Sequence, residues 1–165
     1  HEKKIPDNLP VFLDSPLANA ITDIFKQHIE LYDKEIKALF KGPHNPFTMR
    51  QLKQTTDVEE SKNLNFFIGP CIIISASGMC EAGRIRHHLK NNIEDPKNTI
   101  VVVGYMAENT MGRKIVDGAK QIKIFDHMYD VKANVVIMES FSALECRRCL
   151  KALHCTSFVW LRYNK

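Results

Sequence analysis

Apolar positions along this chain fall into short continuous runs, separated by stretches in which they recur every three or four residues. Val11-Phe12-Leu13 is a run of strand length, closed by Asp14-Ser15-Pro16. Ser15 is suited to cap a helix, and Pro16 to take its first position, where a missing N–H costs nothing. Leu17, Ile21, Ile24, Phe25, Leu31, Ile36 and Leu39 then carry helical spacing, in one helix or two pieces. Glu30/Lys34 and Asp33/Lys37 are four-apart pairs on its wet side, and Gly42-Pro43 and Asn45-Pro46 end it.

A second helix is predicted from Asp57, with Glu60 three residues on completing a capping-box pattern, and Gly69-Pro70 stops it. Cys71 to Ser75 reads as a strand. The helix expected after Met79 would bury Ala82, Ile85, Leu89 and Ile93. Thr99 to Val103 is a continuous apolar run of the kind found in parallel sheets covered on both faces. Asn109 to Ala119 reads as a loop and short helix, Ile122–Phe125 as a strand, and Asp126–Asp130 as a turn into Val131–Met138. Phe40, Phe66 and Phe67 are assigned to the core.

Strand and helix alternating in this order predict an α/β domain: Rossmann-like, with a largely parallel sheet flanked by helices. Sites in such sheets lie beyond the carboxyl ends of the strands, which puts Ser75–Met79 and Tyr105–Thr110 on one rim.

Composition bounds the reading without redirecting it. The 165 residues make one domain, 44% hydrophobic and 25% charged. No apolar run approaches the roughly 20 residues of a membrane span, and no signal peptide opens the chain. His1 is not an initiator Met, so the chain reads as a fragment or a processed form. A net charge of +4 permits a polyanionic partner without demanding one, and five largely unpatterned cysteines fit a reducing compartment.

The candidate chemistry concentrates in SASGMCEAGRIRHHLK, residues 75–90. Gly78 and Gly83 bracket four residues ahead of Arg84, which imitates the nucleotide-binding P-loop. Arg84 stands where that loop has lysine, and Ile85 where it has a magnesium-binding hydroxyl, so the nucleotide reading is a distant alternative. A more general property survives: free backbone N–H groups at a helix start, with Ser77 able to cap, would hold an anion. Arg84, His87, His88 and Asn91 are three or four apart and would share one helix side, with Arg84 offering a planar fork to phosphate oxygens. The bland alternative is a solvated Arg84 and a hydrogen-bonded histidine. Cys146-x2-Cys149 with His154-Cys155 imitates a zinc knuckle, but its adjacent His and Cys, on an expected helix, are poorly placed for one metal.

Taken together, several segments carry a resemblance. VFLDSPLA (11–18), ELYDKEIK (30–37), NPF (45–47), VEESKNLN (58–65), the run from Ile72 to Met106 and GRKIVDGAKQIKIF (112–125) follow one another in a known order. They resemble the β-CASP domain of the metallo-β-lactamase-fold ribonucleases, a group that includes the nuclease subunit of the cleavage and polyadenylation factor and its prokaryotic relatives. The resemblance covers about residues 10–143. It implies a lid over a two-zinc active site that lies in the metallo-β-lactamase half, with RNA between the two and zinc-activated water attacking the phosphodiester. It further implies RNA-phosphate roles for Ser77, Gly78, Met79, Arg84 and His87, with Arg113 and Ser142 nearby, and no catalytic or metal ligand in this chain itself.

The departures shape what the resemblance implies. The family's His-x-His-x-Asp-His zinc cluster is absent, and Leu144 stands where the family has the histidine of Phe-Ser-Ala-His. Leucine can neither move a proton nor bond a phosphate. Residues 1–138 are therefore expected to form an N-terminally incomplete β-CASP domain, and 139–165 a divergent tail at the return to the other half. The pattern's loss after Ala143 would fit a native divergence or a shift of reading frame. The expected function is RNA-phosphate binding within a zinc-dependent RNA-processing or mRNA 3′-end-maturing ribonuclease. The isolated chain should be inactive, needing no cofactor of its own, with zinc in its parent. The alternative is a non-catalytic pseudo-nuclease subunit of a processing complex. RNA, the missing half and a second copy of the chain are the expected partners, without a membrane, in the cytoplasm or a eukaryotic nucleus.

Overall fold

A computed structural model describes residues 8–41, 45, 51–138 and 158–162. A six-stranded sheet runs in the order β2-β1-β3-β8-β4-β7. Its strands are β1 (Val11–Asp14), β2 (Leu52–Gln54), β3 (Cys71–Ser75), β4 (Thr99–Val102), β7 (Asn134–Ile137) and β8 (Phe158–Arg162). β1 pairs in parallel with β2 and β3, and β4 with β7. β8 joins the two groups by running antiparallel to both β3 and β4. The α/β architecture and the parallel character are as the sequence predicts, and the antiparallel insert is an addition to it.

The helices are α1 (Pro16–Gln27), α2 (Lys34–Lys41), α3 (Val58–Asn63), α4 (Ile85–Asn92) and α5 (Met111–Val116). Ser15 caps α1 by accepting from Ala18 N at 3.3 Å, with Pro16 at the first position. Asp57 caps α3 by accepting from Glu60 N at 2.7 Å, while the Glu60 carboxylate reaches back to Thr56 N at 2.7 Å. Ile85 and Leu89, four apart on α4, and Ile93 just beyond it are fully buried with Ile73, Ile100 and Val102 of the sheet. Each such side chain removed from water contributes roughly 1.5–3 kcal/mol.

The first helical stretch is in two pieces, one of the two forms its spacing allows, separated by a 3-10 turn at Ile29–Leu31. Other expectations are corrected. Asp33 caps α2, accepting from Ile36 N at 2.8 Å, and Glu30 accepts from His28 Nδ1 at 3.0 Å, so neither makes its predicted lysine pair. Residues 127–130 are not a turn. They form β6 (His127–Asp130), hairpinned to β5 (Gln121–Ile124) through Phe125-Asp126. Phe67 packs edge-on against Phe12, but Phe66 is 80% exposed. The tight turn Leu64–Phe66 sends Leu64 inward and turns Phe66 out to solvent. Among the described residues no helix is long and apolar enough to cross a membrane.

Candidate functional site

β1 ends on Asp14, a carboxylate with no solvent exposure. Such a charge persists only if its oxygens are filled with donors, and here they are. Oδ1 accepts from Arg84 Nη1 at 2.7 Å and from the Thr55 hydroxyl. Oδ2 accepts from Ser61 Oγ and from His88 Nε2, each at 2.6 Å. Burial by itself would raise the Asp14 carboxyl, but the bonds from His88, Ser61, Thr55 and Arg84 hold it well below the usual carboxylate range. The donors come from the chain just after β2, from α3 and from the two ends of the first turn of α4. The network therefore ties four segments together at the carboxyl end of the sheet.

Arg84 is thus turned inward. Its Nη2 donates to Thr56 O at 3.3 Å, and the side chain keeps 17% exposure. His88 is buried, whereas His87 is exposed and lies with its ring centre 5.0 Å from that of Phe125. The single helix side predicted for Arg84, His87, His88 and Asn91 is split: Arg84 and His88 point to Asp14, while His87 and Asn91 reach solvent. Four residues are just over one turn, so Arg84 and His88 stack above one target, and His87 is rotated about 100° from His88.

The anion site expected at a helix start is corrected too. α4 begins at Ile85, with Arg84 rather than Ser77 at its cap position. Its first N–H groups are occupied: Ile85 N donates to Ala76 O, Arg86 N to Gly83 O and His87 N to Arg84 O. The loop 76–84 folds back on the end of β3 and fills them. Gly83 makes this closure, with φ of +78° and a Cα so close to Ala76 that a Cβ would stand 2.6 Å from its carbonyl oxygen.

The same loop is fixed to the next one on the rim. Gly112 N donates to Met79 O at 3.0 Å, and Met111 N donates to the Glu81 carboxylate. A Cβ on Gly112 would meet Met106 Sδ at 2.6 Å and the carbonyls of Met79 and Gly78 within 3.3 Å. The structure therefore brings Ser77, Gly78 and Met79, beyond β3, against the start of the helix that carries Arg113. Gly78 is buried, while Ser77, Met79 and Arg113 are partly exposed. Arg113 Nε donates to both Asp117 oxygens, at 2.9 and 3.0 Å, which leaves its outer nitrogens free to face a ligand. Cys80 is buried, and burial together with Glu81 pushes its thiol far above the usual range, so it is no nucleophile.

Residues 1–115 match the family model described as the Beta-Casp domain. The chain belongs to the β-CASP family. It is 32% identical over 142 residues to Ribonuclease TTHA0252 of Thermus thermophilus, covering 86% of this chain and 33% of the relative. It is 35% identical over 136 residues to the RNase J-like protein of Methanocaldococcus jannaschii, covering 82% and 30%. A Transcription termination factor FttA, from Methanosarcina mazei, is 33% identical over 152 residues, covering 88% of this chain and 24% of its own length. This β-CASP chain thus spans about a third or less of the relatives it matches.

Zinc, which the resemblance implies for the parent, finds no fit in the described residues. No three His, Cys, Asp or Glu side chains among them gather to hold an ion. The buried histidine–carboxylate pair His88–Asp14 has its carboxylate filled by protein donors. Ser142, Leu144, the boundary at 138/139 and the Cys146–Cys155 group lie outside the described residues.

The Asp14 network is what sequence reasoning missed. Asp14 reads locally as part of a capping triplet, and its partners stand 41 to 74 positions away. The four-residue spacing of Arg84 and His88 was the available signal that the two share a target.

Proposed function

We propose that this chain is the β-CASP portion of a zinc-dependent ribonuclease of RNA processing, and that its share of the work is to hold RNA phosphates rather than to cut them. The observation that carries the reading is the joining of the 76–84 loop to the start of α5, in which Gly112 lies against the backbone of Gly78 and Met79 on the sheet's carboxyl rim, next in sequence to Arg113. Family membership supports RNA as the ligand, since the relatives include a ribonuclease, an RNase J-like protein and an endoribonuclease. Arg84 contributes through its remaining N–H edge, held in place by Asp14. His87 contributes from the outer side of α4, and Ser142 remains a candidate contact in this reading.

Metal-assisted hydrolysis needs ligands that the described residues do not supply, so the isolated chain should bind RNA and leave it intact. Titrating labelled single-stranded RNA with the chain, and incubating the mixture with zinc, tests both parts. Salt-sensitive binding without cleavage is expected. Absence of binding at low salt would overturn the phosphate role, and turnover would overturn the division of labour. Leu144 in place of histidine favours a second reading, a non-catalytic partner of an active relative. The full-length protein distinguishes them: a parent that also fails to cleave RNA with zinc present supports the non-catalytic reading.

A further inference from the structure

The β5–β6 hairpin turns on two residues, Phe125 and Asp126, between the paired Ile124 and His127. Two-residue hairpin turns take positive φ at the first central residue or at both, which favours glycine or asparagine there. Here Phe125 takes φ of +54°, a conformation that bulky residues rarely adopt, and holds its ring 37% exposed at the tip. Glycine or asparagine would make the turn with less strain. The phenyl ring sits there against the local preference of the backbone, which points to a use for the ring itself.

Its neighbours say what use. The Arg86 guanidinium carbon lies 4.2 Å from the ring centre, and the His87 ring centre lies 5.0 Å away. Arg86 and Lys90, one turn apart on α4, have no carboxylate partner among the described residues, and the enclosed Arg86 Nε has no acceptor. Burial lowers the His87 pKa, and the nearby cations Lys90, Arg86 and Lys62 lower it further. Lys62 is partly neutralised by Glu59, at 2.6 Å, so Arg86 and Lys90 are the main unpaired charges. An exposed ring with an arginine plane over it and unpaired cations beside it is the combination that binds single-stranded nucleic acid. Bases stack on ring or guanidinium while phosphates meet the cations.

We infer that the hairpin tip and the outer side of α4 (Phe125, Arg86, His87 and Lys90) form a second contact for single-stranded RNA, beside the rim at residues 76–84. The inference rests on the reading of RNA as this chain's ligand. The two contacts differ in kind: the rim offers the Ser77 hydroxyl and the Arg113 guanidinium to phosphate, whereas this surface adds a stacking platform.

The test uses the chain, a labelled oligouridine and two substitutions that spare the core. Phe125→Asn removes the ring and suits the positive φ, so it should unfold no earlier than the parent while binding oligouridine about tenfold more weakly. Arg86→Gln should lower the slope of log affinity against log salt by about 0.7, one phosphate's worth for a single strand. Photo-crosslinking with 4-thiouridine should mark the peptide containing Phe125. If both variants bind like the parent and crosslinks fall only in residues 75–84 and 105–113, the second contact is wrong and the RNA reading stands. If the parent binds no RNA at low salt, the RNA reading fails and this contact with it.

Discussion

His88 Nε2 donates to Asp14 Oδ2 across 2.6 Å, joining residues 74 positions apart in a place neither shares with solvent. A buried, hydrogen-bonded carboxylate network of this sort costs more to break than it contributes when made, because removing one partner strands the others. Asp14→Ala would leave Arg84, His88, Ser61 and Thr55 with donors facing an empty site. A loss of roughly 3–5 kcal/mol in urea unfolding is expected. A loss under 1 kcal/mol would show that the four segments hold their places without the carboxylate.

The same network sets the acid limit of the fold. The Asp14 carboxyl is depressed in the folded chain relative to 3.8 when unfolded, so its contribution is fully present above the unfolded value and is lost as pH falls below it. Stability should be flat with respect to this group from neutral pH to about 5 and decline steeply below about 4. Asp14→Asn should remove that part of the acid limb while leaving the variant less stable at pH 7.

These two expectations show where the sequence was legible and where it was not. The strands Val11–Asp14, Cys71–Ser75 and Thr99–Val102, the caps at Ser15 and Asp57 and the buried stripe Ile85, Leu89 and Ile93 are all local patterns, and local patterns survive folding. β2 escaped notice because three residues, Leu52-Lys53-Gln54, display no alternation. The β5–β6 turn escaped because Phe125-Asp126 lacks the usual turn chemistry, the same departure that marks it as a candidate contact. Asp14's role was beyond local reading, since it exists only once β1, α3 and α4 are side by side. The carboxyl-end rim was legible from topology, whereas the inward turn of Arg84 was not.

Gly83 and Gly118 both sit at φ of +78°, but their surroundings differ. At Gly118 a Cβ meets nothing within 4 Å, so Gly118→Ala should lose only the conformational term, about 1–2 kcal/mol. At Gly83 the same methyl collides with the Ala76 carbonyl, and backbone cannot step aside as a flexible side chain would. Gly83→Ala should therefore cost distinctly more and loosen the 76–84 loop. Thermal unfolding of the pair isolates the collision, and equal losses would mean that the loop closure tolerates displacement.

His87 should make RNA binding tighten as pH falls. Burial, with His88, Lys90, Arg86 and Lys62, holds its pKa below the ordinary 6.5, so the ring is largely neutral at pH 7. A phosphate beside it favours the charged form, and binding should take up a proton. Affinity for oligouridine is expected to rise between pH 7.5 and 5.5, and His87→Ala should flatten that limb. A limb that persists in His87→Ala would place the titrating group elsewhere.

Arg113 offers the cleanest test of the rim. Arg84 cannot serve alone, because removing it also unpairs Asp14 and mixes a folding defect with a binding defect. Arg113 is partly exposed, its Nε bonded to Asp117 one turn on, so Arg113→Ala should leave thermal unfolding close to that of the parent. Its remaining nitrogens would meet a phosphate, and phosphate contacts carry no base information. The variant should thus weaken oligouridine, oligoadenosine and mixed-sequence RNA by the same factor and reduce the salt slope by about 0.7. A loss confined to one sequence would mean that Arg113 reads a base, and an unchanged slope would remove it from the phosphate path.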